Sequence, residues 1–218
     1  MNTMETLVFA SISGKDGRML ASSQFLAFGV CGVAVVELIN MGRMKFDGKH
    51  VLLTSAASTG NPILDEVCAF VEKKKSRYRL DALISSVPFY VKRMMKRLTE
   101  TLEDNGHIRI EQYRFLGLIP YNRYIVTRVA QHQKLVNELK DIALKGEKGT
   151  DASKALLIAI LYECGAYRKF FSKDECKQIK ETFKLIRKGA YFDHLDETCI
   201  KTQKTVRNAI TASQAASS

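Results

Sequence analysis

The stretch Ser22–Arg43, SSQFLAFGVCGVAVVELINMGR, decides how the chain is read. Its run from Phe25 to Met41 is the longest apolar stretch in the sequence, interrupted by Gly29, Gly32 and Glu37. A membrane-spanning helix needs ~20 apolar residues, so this run reads as a helix buried in a protein core. Ser22 and Ser23 offer N-cap oxygens to it, and Gly42 suits its end. Gly29 and Gly32 lie three apart and clear one side for a neighbouring helix.

Upstream, Leu7–Ile12 and Arg18–Leu20 flank the turn Ser13-Gly14-Lys15-Asp16-Gly17, which fits a short strand or helix edge with a loop. The opening MNTMETLVFASISG has no basic start and carries Ser11 and Ser13 in its apolar run, so a secretory signal is not expected. Downstream, Met44–Phe46 and His50–Leu53 bracket Asp47-Gly48, a strong hairpin signal. Pro62 suits the first turn of a helix carrying Ile63, Leu64, Val67, Phe70 and Val71. A second helix over Leu80–Val87 is expected to stop at Pro88. From Phe89 to Glu103, Val91, Met94, Met95, Leu98 and Leu102 form the stripe of an amphipathic helix. Asn105-Gly106 stops it, a second hairpin follows, and further helices are expected near Gln131–Leu144, Asp151–Tyr167, Ser172–Arg187 and Glu197–Ile210. The expected fold is mostly α: a single helical domain over residues 1–210 with two or more small β-hairpins, one of them apolar and projecting. Residues 211–218 have nothing to bury and read as a disordered tail.

The chain has 218 residues and a formal charge of +11, enough length for a sizeable core and enough charge to attract polyanions. Between Val71 and Leu98, nine basic residues face only Glu72 and Asp81, so most of the excess lies there. On the expected Phe89–Glu103 helix, Lys92 stacks on Lys96 and Arg93 on Arg97. A solvated face explains such a run equally well. The five cysteines are scattered, odd in number and form no C-x-x-C pair, as expected of reduced thiols in a cytosolic protein. No H-E-x-x-H, Walker loop, G-x-S-x-G or G-x-G-x-x-G motif occurs. The four histidines lack metal-ligand spacing, and Asp193-His194 with Asp196 reads as helix capping. Asp65-Glu66 is not a catalytic pair, since adjacent helix residues point apart. No enzyme activity, metal or cofactor is expected.

The segments Gly29–Arg43, Ser58–Glu66 (STGNPILDE), Leu98–Gly106, Phe115–Pro120 (FLGLIP) and Asp151–Gly165 occur in an order that resembles the Golgi phosphoprotein 3 family, most of all its compact prokaryotic-type members. The resemblance covers about residues 5–190 and implies a mostly helical peripheral membrane protein. In eukaryotic members a basic pocket holds the phosphatidylinositol 4-phosphate headgroup, an apolar hairpin enters the bilayer, and the bound protein helps retain glycosyltransferases through their cytoplasmic tails. Here Ala21 stands at the pocket's tryptophan position, Cys31 at its first arginine, and Lys92 and Met95 at the next two. Lys92, Arg93, Lys96, Arg97 and Arg123 are the cations expected to hold an anionic headgroup.

The same resemblance gives meaning to Gly106–Val126, GHIRIEQYRFLGLIPYNRYIV, where an apolar turn is ringed by Arg109, Arg114, Arg123 and Arg128. Phe115, Leu116, Leu118, Ile119 and Tyr121 would enter the acyl region while guanidinium groups stay at the phosphates. Full burial of such a side chain supplies ~1.5–3 kcal/mol, and each basic residue near an anionic surface adds about 1 kcal/mol. The alternatives are that these residues pack on the domain's own helices or join two copies of the chain. A winged-helix nucleic-acid binder would also combine helices with a hairpin, but its tip should be basic or polar. A third reading is a module holding peptide tails on its basic face. The expected location is cytoplasmic and peripheral on a membrane, Golgi-facing in a eukaryotic host.

Overall fold

The computed structural model describes residues 1–145, 152–187 and 197–216. The first helix follows from its cap. In α1 (Thr3–Ala10) the Asn2 side chain accepts from the Glu5 N–H, and the Glu5 carboxylate accepts from the Asn2 N–H. This reciprocal box satisfies donors that a bare helix start leaves open, so Leu7–Ala10 is helical. Ile12 and Met19 bridge across the turn that follows.

The central helix α2 (Ser23–Asn40) is capped by Ser22 Oγ, which accepts from the Phe25 N–H at 3.2 Å. It ends where Gly42 takes φ +67° and Arg43 N–H donates to the Leu38 carbonyl. By length and hydropathy alone α2 would suit a membrane span. It is instead packed by α1, α4 (Leu80–Tyr90), α7 (Ala152–Glu163) and α9 (Glu197–Ala215). The two glycines explain how closely. A Cβ at Gly29 would stand 2.5 Å from Ile160 Cγ2, and one at Gly32 2.9 Å from Val206 Cγ2. One core cluster runs from Met4 to Ile210 around this helix.

The strands β1 (Met44–Phe46) and β2 (His50–Leu53) pair antiparallel around Asp47-Gly48 as expected, with Phe46 opposite Val51. Sequence reasoning missed β3 (Arg77–Arg79), which pairs with β2. Three residues with two outward arginines carry no strand signal of their own; the partner strand supplies the hydrogen bonds. The helix α3 (Pro62–Lys73) is capped by Asn61, whose carbonyl oxygen accepts from the Ile63 and Leu64 N–H groups.

The stretch expected as one amphipathic helix from Phe89 is divided. Helix α4 runs through Pro88 to Tyr90, and α5 (Met94–Asp104) begins only after Arg93 adopts a left-handed φ of +56°. The reason is tertiary. Both helices touch α2, but α4 otherwise packs chiefly on α9, whereas α5 packs chiefly on α1 and on β4 (Ile108–Phe115). Val91 and Met94 are both buried, and only a break between them lets each helix reach its own neighbours. The expected stacking of Lys92 on Lys96 and of Arg93 on Arg97 is therefore corrected: Lys92 and Arg93 precede the helix.

Strand β4 pairs with β5 (Ile119–Val126), and α6 (Val129–Lys145), α7, a 3-10 turn at Ala166–Lys169, α8 (Lys173–Arg187) and α9 complete the chain. Helix dominates the described residues, beside two small antiparallel sheets. Helix α9 continues through Ala215, so residues 211–215, expected as part of a disordered tail, extend a helix instead. Alanine and glutamine there are good helix formers and need bury nothing to continue one already anchored. None of the cysteines is in a disulfide; Cys31, Cys68, Cys164 and Cys199 are buried and Cys176 is half-buried. Asp193, His194 and Asp196 lie outside the described residues.

Candidate functional site

Eight residue pairs hold β4 to β5, from Ile108 opposite Val126 to Phe115 opposite Ile119. Directly opposed residues share a face. One face therefore carries Glu111, Tyr113, Tyr121 and Arg123, and the other Ile110, Gln112, Asn122 and Tyr124.

The hairpin's root is firmly built. Ile108 and Val126 enter the core. The Ile110 N–H donates to Glu103 Oε1 at 2.6 Å, and the Tyr124 N–H donates to the Gly17 carbonyl at 2.8 Å. Gly17 permits this approach, since a Cβ there would stand 3.1 Å from the Tyr124 carbonyl oxygen. Arg128 donates from Nε to the Gly106 carbonyl and from Nη2 to that of Asn105, closing the end of α5.

The tip is the opposite. Phe115 is 59% exposed, Leu116 80%, Leu118 83% and Ile119 62%, far beyond any core residue. The expectation that this apolar turn projects from the domain is met, and its packing on the protein's own helices is ruled out. The turn is tight: the Leu118 N–H donates to the Phe115 carbonyl at 3.1 Å, with Leu116 at φ +50° and Gly117 at φ +74°. A leucine in left-handed backbone is uncommon and costs energy. Its side chain makes no compensating contact in the core.

Below the tip, Tyr113 and Tyr121 stack with ring centroids 5.8 Å apart, and the Arg123 guanidinium lies 5.1 Å from the Tyr113 ring. Arg123 also donates to the Asp16 carbonyl at 3.4 Å. Hydrogen bonds from Tyr113 and then Arg109 hold the Glu111 carboxyl below its usual range.

The other face of the hairpin and α5 enclose a cleft of about 530 Å³, lined by Met95, Lys96, Thr99, Glu100, Glu103, Ile110, Gln112, Asn122 and Tyr124, with Met19 and Ser23 at its edge. Of the expected cations only Lys96 lines this cleft, and it pairs with Glu100 at 3.4 Å. Arg97 points away, its Nη1 2.7 Å from Glu66 Oε1 on α3. Cys31 is fully buried in α2, its thiol donating to the Leu83 carbonyl, so this position lines no open site. Ala21 is half-buried just before α2. Lys92 and Arg93 are exposed and have no acidic partner among the described residues.

The Glu103–Ile110 bond sets the direction of α5 against β4. From there α5 climbs about 14 Å back to Met94 at ~1.5 Å per residue, and β4 climbs about 17 Å to Phe115 at ~3.4 Å per residue. Met95 in the first turn of α5 and Gln112 and Asn122 in the outer half of the hairpin line the same cleft, so the start of α5 lies beside the hairpin. That start has no side-chain cap and no acidic residue in its first turn; the Met94 N–H donates to the Val91 carbonyl at 3.3 Å, which leaves the Met95 and Lys96 N–H groups to face an anion. Sequence reasoning missed Phe89, a large apolar side chain in the last turn of α4 that is 73% exposed. It lies off the buried stripe, and periodicity marks only what is buried.

Fold and site together define a mostly helical module that presents one rooted hairpin with an exposed apolar turn. The chain belongs to the Golgi phosphoprotein 3 (GPP34) family, whose model matches residues 4–211. That family comprises lipid-binding or adaptor proteins associated with the Golgi and membranes. A search of curated proteins found no match.

Proposed function

We propose that the protein docks peripherally on the cytoplasmic face of anionic membranes. Phe115, Leu116, Leu118, Ile119 and Tyr121 enter the acyl boundary. Lys92, Arg93 and Lys96, with the Met95 and Lys96 N–H groups at the start of α5, hold a phosphorylated headgroup of the phosphatidylinositol 4-phosphate type expected from the family. Arg97 and Arg123 are engaged within the protein and serve to position α5 and the hairpin. The observation carrying this reading is that an exposed apolar turn tops a hairpin sharing a cleft with a cationic helix start that has no side-chain cap. Neither element suffices alone: partial insertion yields a fraction of the ~1.5–3 kcal/mol per side chain, and each cation adds about 1 kcal/mol near an anionic leaflet. Together they support reversible attachment. Docked this way, the protein is suited to hold cytoplasmic tails of membrane enzymes, as the family resemblance implies. The apolar tip counts against contact with a nucleic-acid backbone.

Flotation with neutral, phosphatidylserine and phosphatidylinositol 4-phosphate vesicles across a salt series, beside a DNA gel shift, tests this. Binding should require anionic lipid, weaken with salt and fall sharply in Leu118→Asp. Equal flotation of wild type and folded Leu118→Asp, or salt-sensitive DNA binding indifferent to that change, would remove the proposal.

A further inference from the structure

Phe89, in the last turn of α4, has 73% of its surface exposed, the highest exposure of any phenylalanine among the described residues. Its neighbours on the helix explain why it is left out. Leu80, Leu83, Ile84 and Val87 form the buried stripe of α4, and Val91 turns back into the core. Tyr90 packs its ring 4.9 Å from Phe70 and accepts a hydrogen bond from Lys73 Nζ at 2.8 Å. The contact brings the Lys73 ammonium to the end of α4, while Lys92 and Arg93 follow Phe89 by three and four residues. An exposed aromatic ring bracketed by cations repeats the pattern of the hairpin turn. Phe89 precedes Met94 by five residues, so it lies within ~18 Å of the start of α5, whose Met95 shares a cleft with the hairpin.

We infer that Phe89 is a second membrane anchor, which with the hairpin fixes the tilt of the protein on an anionic leaflet. The inference rests on the docking proposal above. A single inserted hairpin is a pivot; two separated apolar contacts with cations between them define a plane. The occupant is a lipid surface because Ser85, one turn back on the helix, and Lys92 and Arg93 just beyond it are exposed and polar, giving no apolar patch for a protein partner. Lys73, Lys92 and Arg93 match a negatively charged leaflet. In that plane the α5 start and the cleft beside it face the headgroups.

The chain contains no tryptophan, so Phe89→Trp and Leu118→Trp each create a single tryptophan that can be excited apart from the tyrosines. Both variants are mixed with phosphatidylcholine–phosphatidylserine vesicles with and without brominated acyl chains. Quenching of both by brominated lipid is expected, and Phe89→Ala should lower vesicle affinity roughly three- to tenfold with unchanged circular dichroism. Quenching at Leu118→Trp alone would overturn the second anchor and leave hairpin docking intact. Quenching at neither would overturn both.

Discussion

Arg97 Nη1 donates to Glu66 Oε1 across 2.7 Å, tying α5 to α3. A residue expected from its position to hold a lipid headgroup is thereby occupied inside the protein. The pair is partly exposed, with the Arg97 side chain 31% accessible, so its loss should cost about 0.5–1 kcal/mol. Arg97→Ala should lower the urea midpoint slightly and leave flotation with anionic vesicles within twofold of wild type, which paired denaturation and flotation measurements would check. Lys92→Glu with Arg93→Glu should weaken flotation about tenfold or more with an unchanged midpoint.

Arg93 separates charge from backbone. Its φ of +56° is costly for a side chain bearing a Cβ. Arg93→Gly should stabilise the fold by roughly 1 kcal/mol while lowering affinity for anionic vesicles. A variant that is more stable yet binds less, read by denaturation and flotation together, would assign the arginine to binding.

Gly29 tests the core. A methyl group there would meet Ile160 Cγ2 at 2.5 Å, and isoleucine has one favoured rotamer in a helix. Gly29→Ala should therefore destabilise by about 1–3 kcal/mol through overpacking, despite alanine's better helix propensity. Chemical denaturation gives the value directly.

Met95 lines the cleft beside Lys96 at a position where the family resemblance expects arginine. Met95→Arg should tighten binding to phosphatidylinositol 4-phosphate vesicles about tenfold, since a charged hydrogen bond contributes ~1.5–3 kcal/mol. Vesicles containing phosphatidylserine alone should respond less. Equal gains on both would argue against a headgroup site in the cleft.

His132 links pH to stability. The ring packs 4.9 Å from Phe9, with Nε2 3.0 Å from the Ile12 carbonyl. Burial lowers its pKa below the usual 6.5, and burial also lowers that of His107, 5.5 Å from the same phenylalanine. Below 6.5 the unfolded chain takes up protons that the folded chain refuses, so stability is complete above that value and falls as pH drops toward the lowered folded values. Thermal melts at about pH 7.5 and about pH 5.5 should differ in this direction, and the difference should shrink in His132→Gln.

Local signals in the sequence were enough for much of the architecture. The Asp47-Gly48 hairpin, the Asn61-Pro62 helix start and the Gly29/Gly32 contact surface each depend on residues adjacent in the chain or on one face of one helix. The apolar turn at Phe115–Ile119 was also readable, because a run of large apolar residues between arginines is conspicuous without coordinates. The family motifs are of the same kind, since they too are read along the chain.

What neighbours impose was not readable. The break at Lys92-Arg93 exists because α4 and α5 bury themselves against different partners, although the apolar stripe runs on unbroken through both. Arg97 was separated from Lys96 by a glutamate 31 positions away in sequence, and Phe89 was left bare because its helix had already satisfied its core on another side. Periodicity reports which side chains favour burial. Only the packed elements determine which of them, and which charges, remain outside.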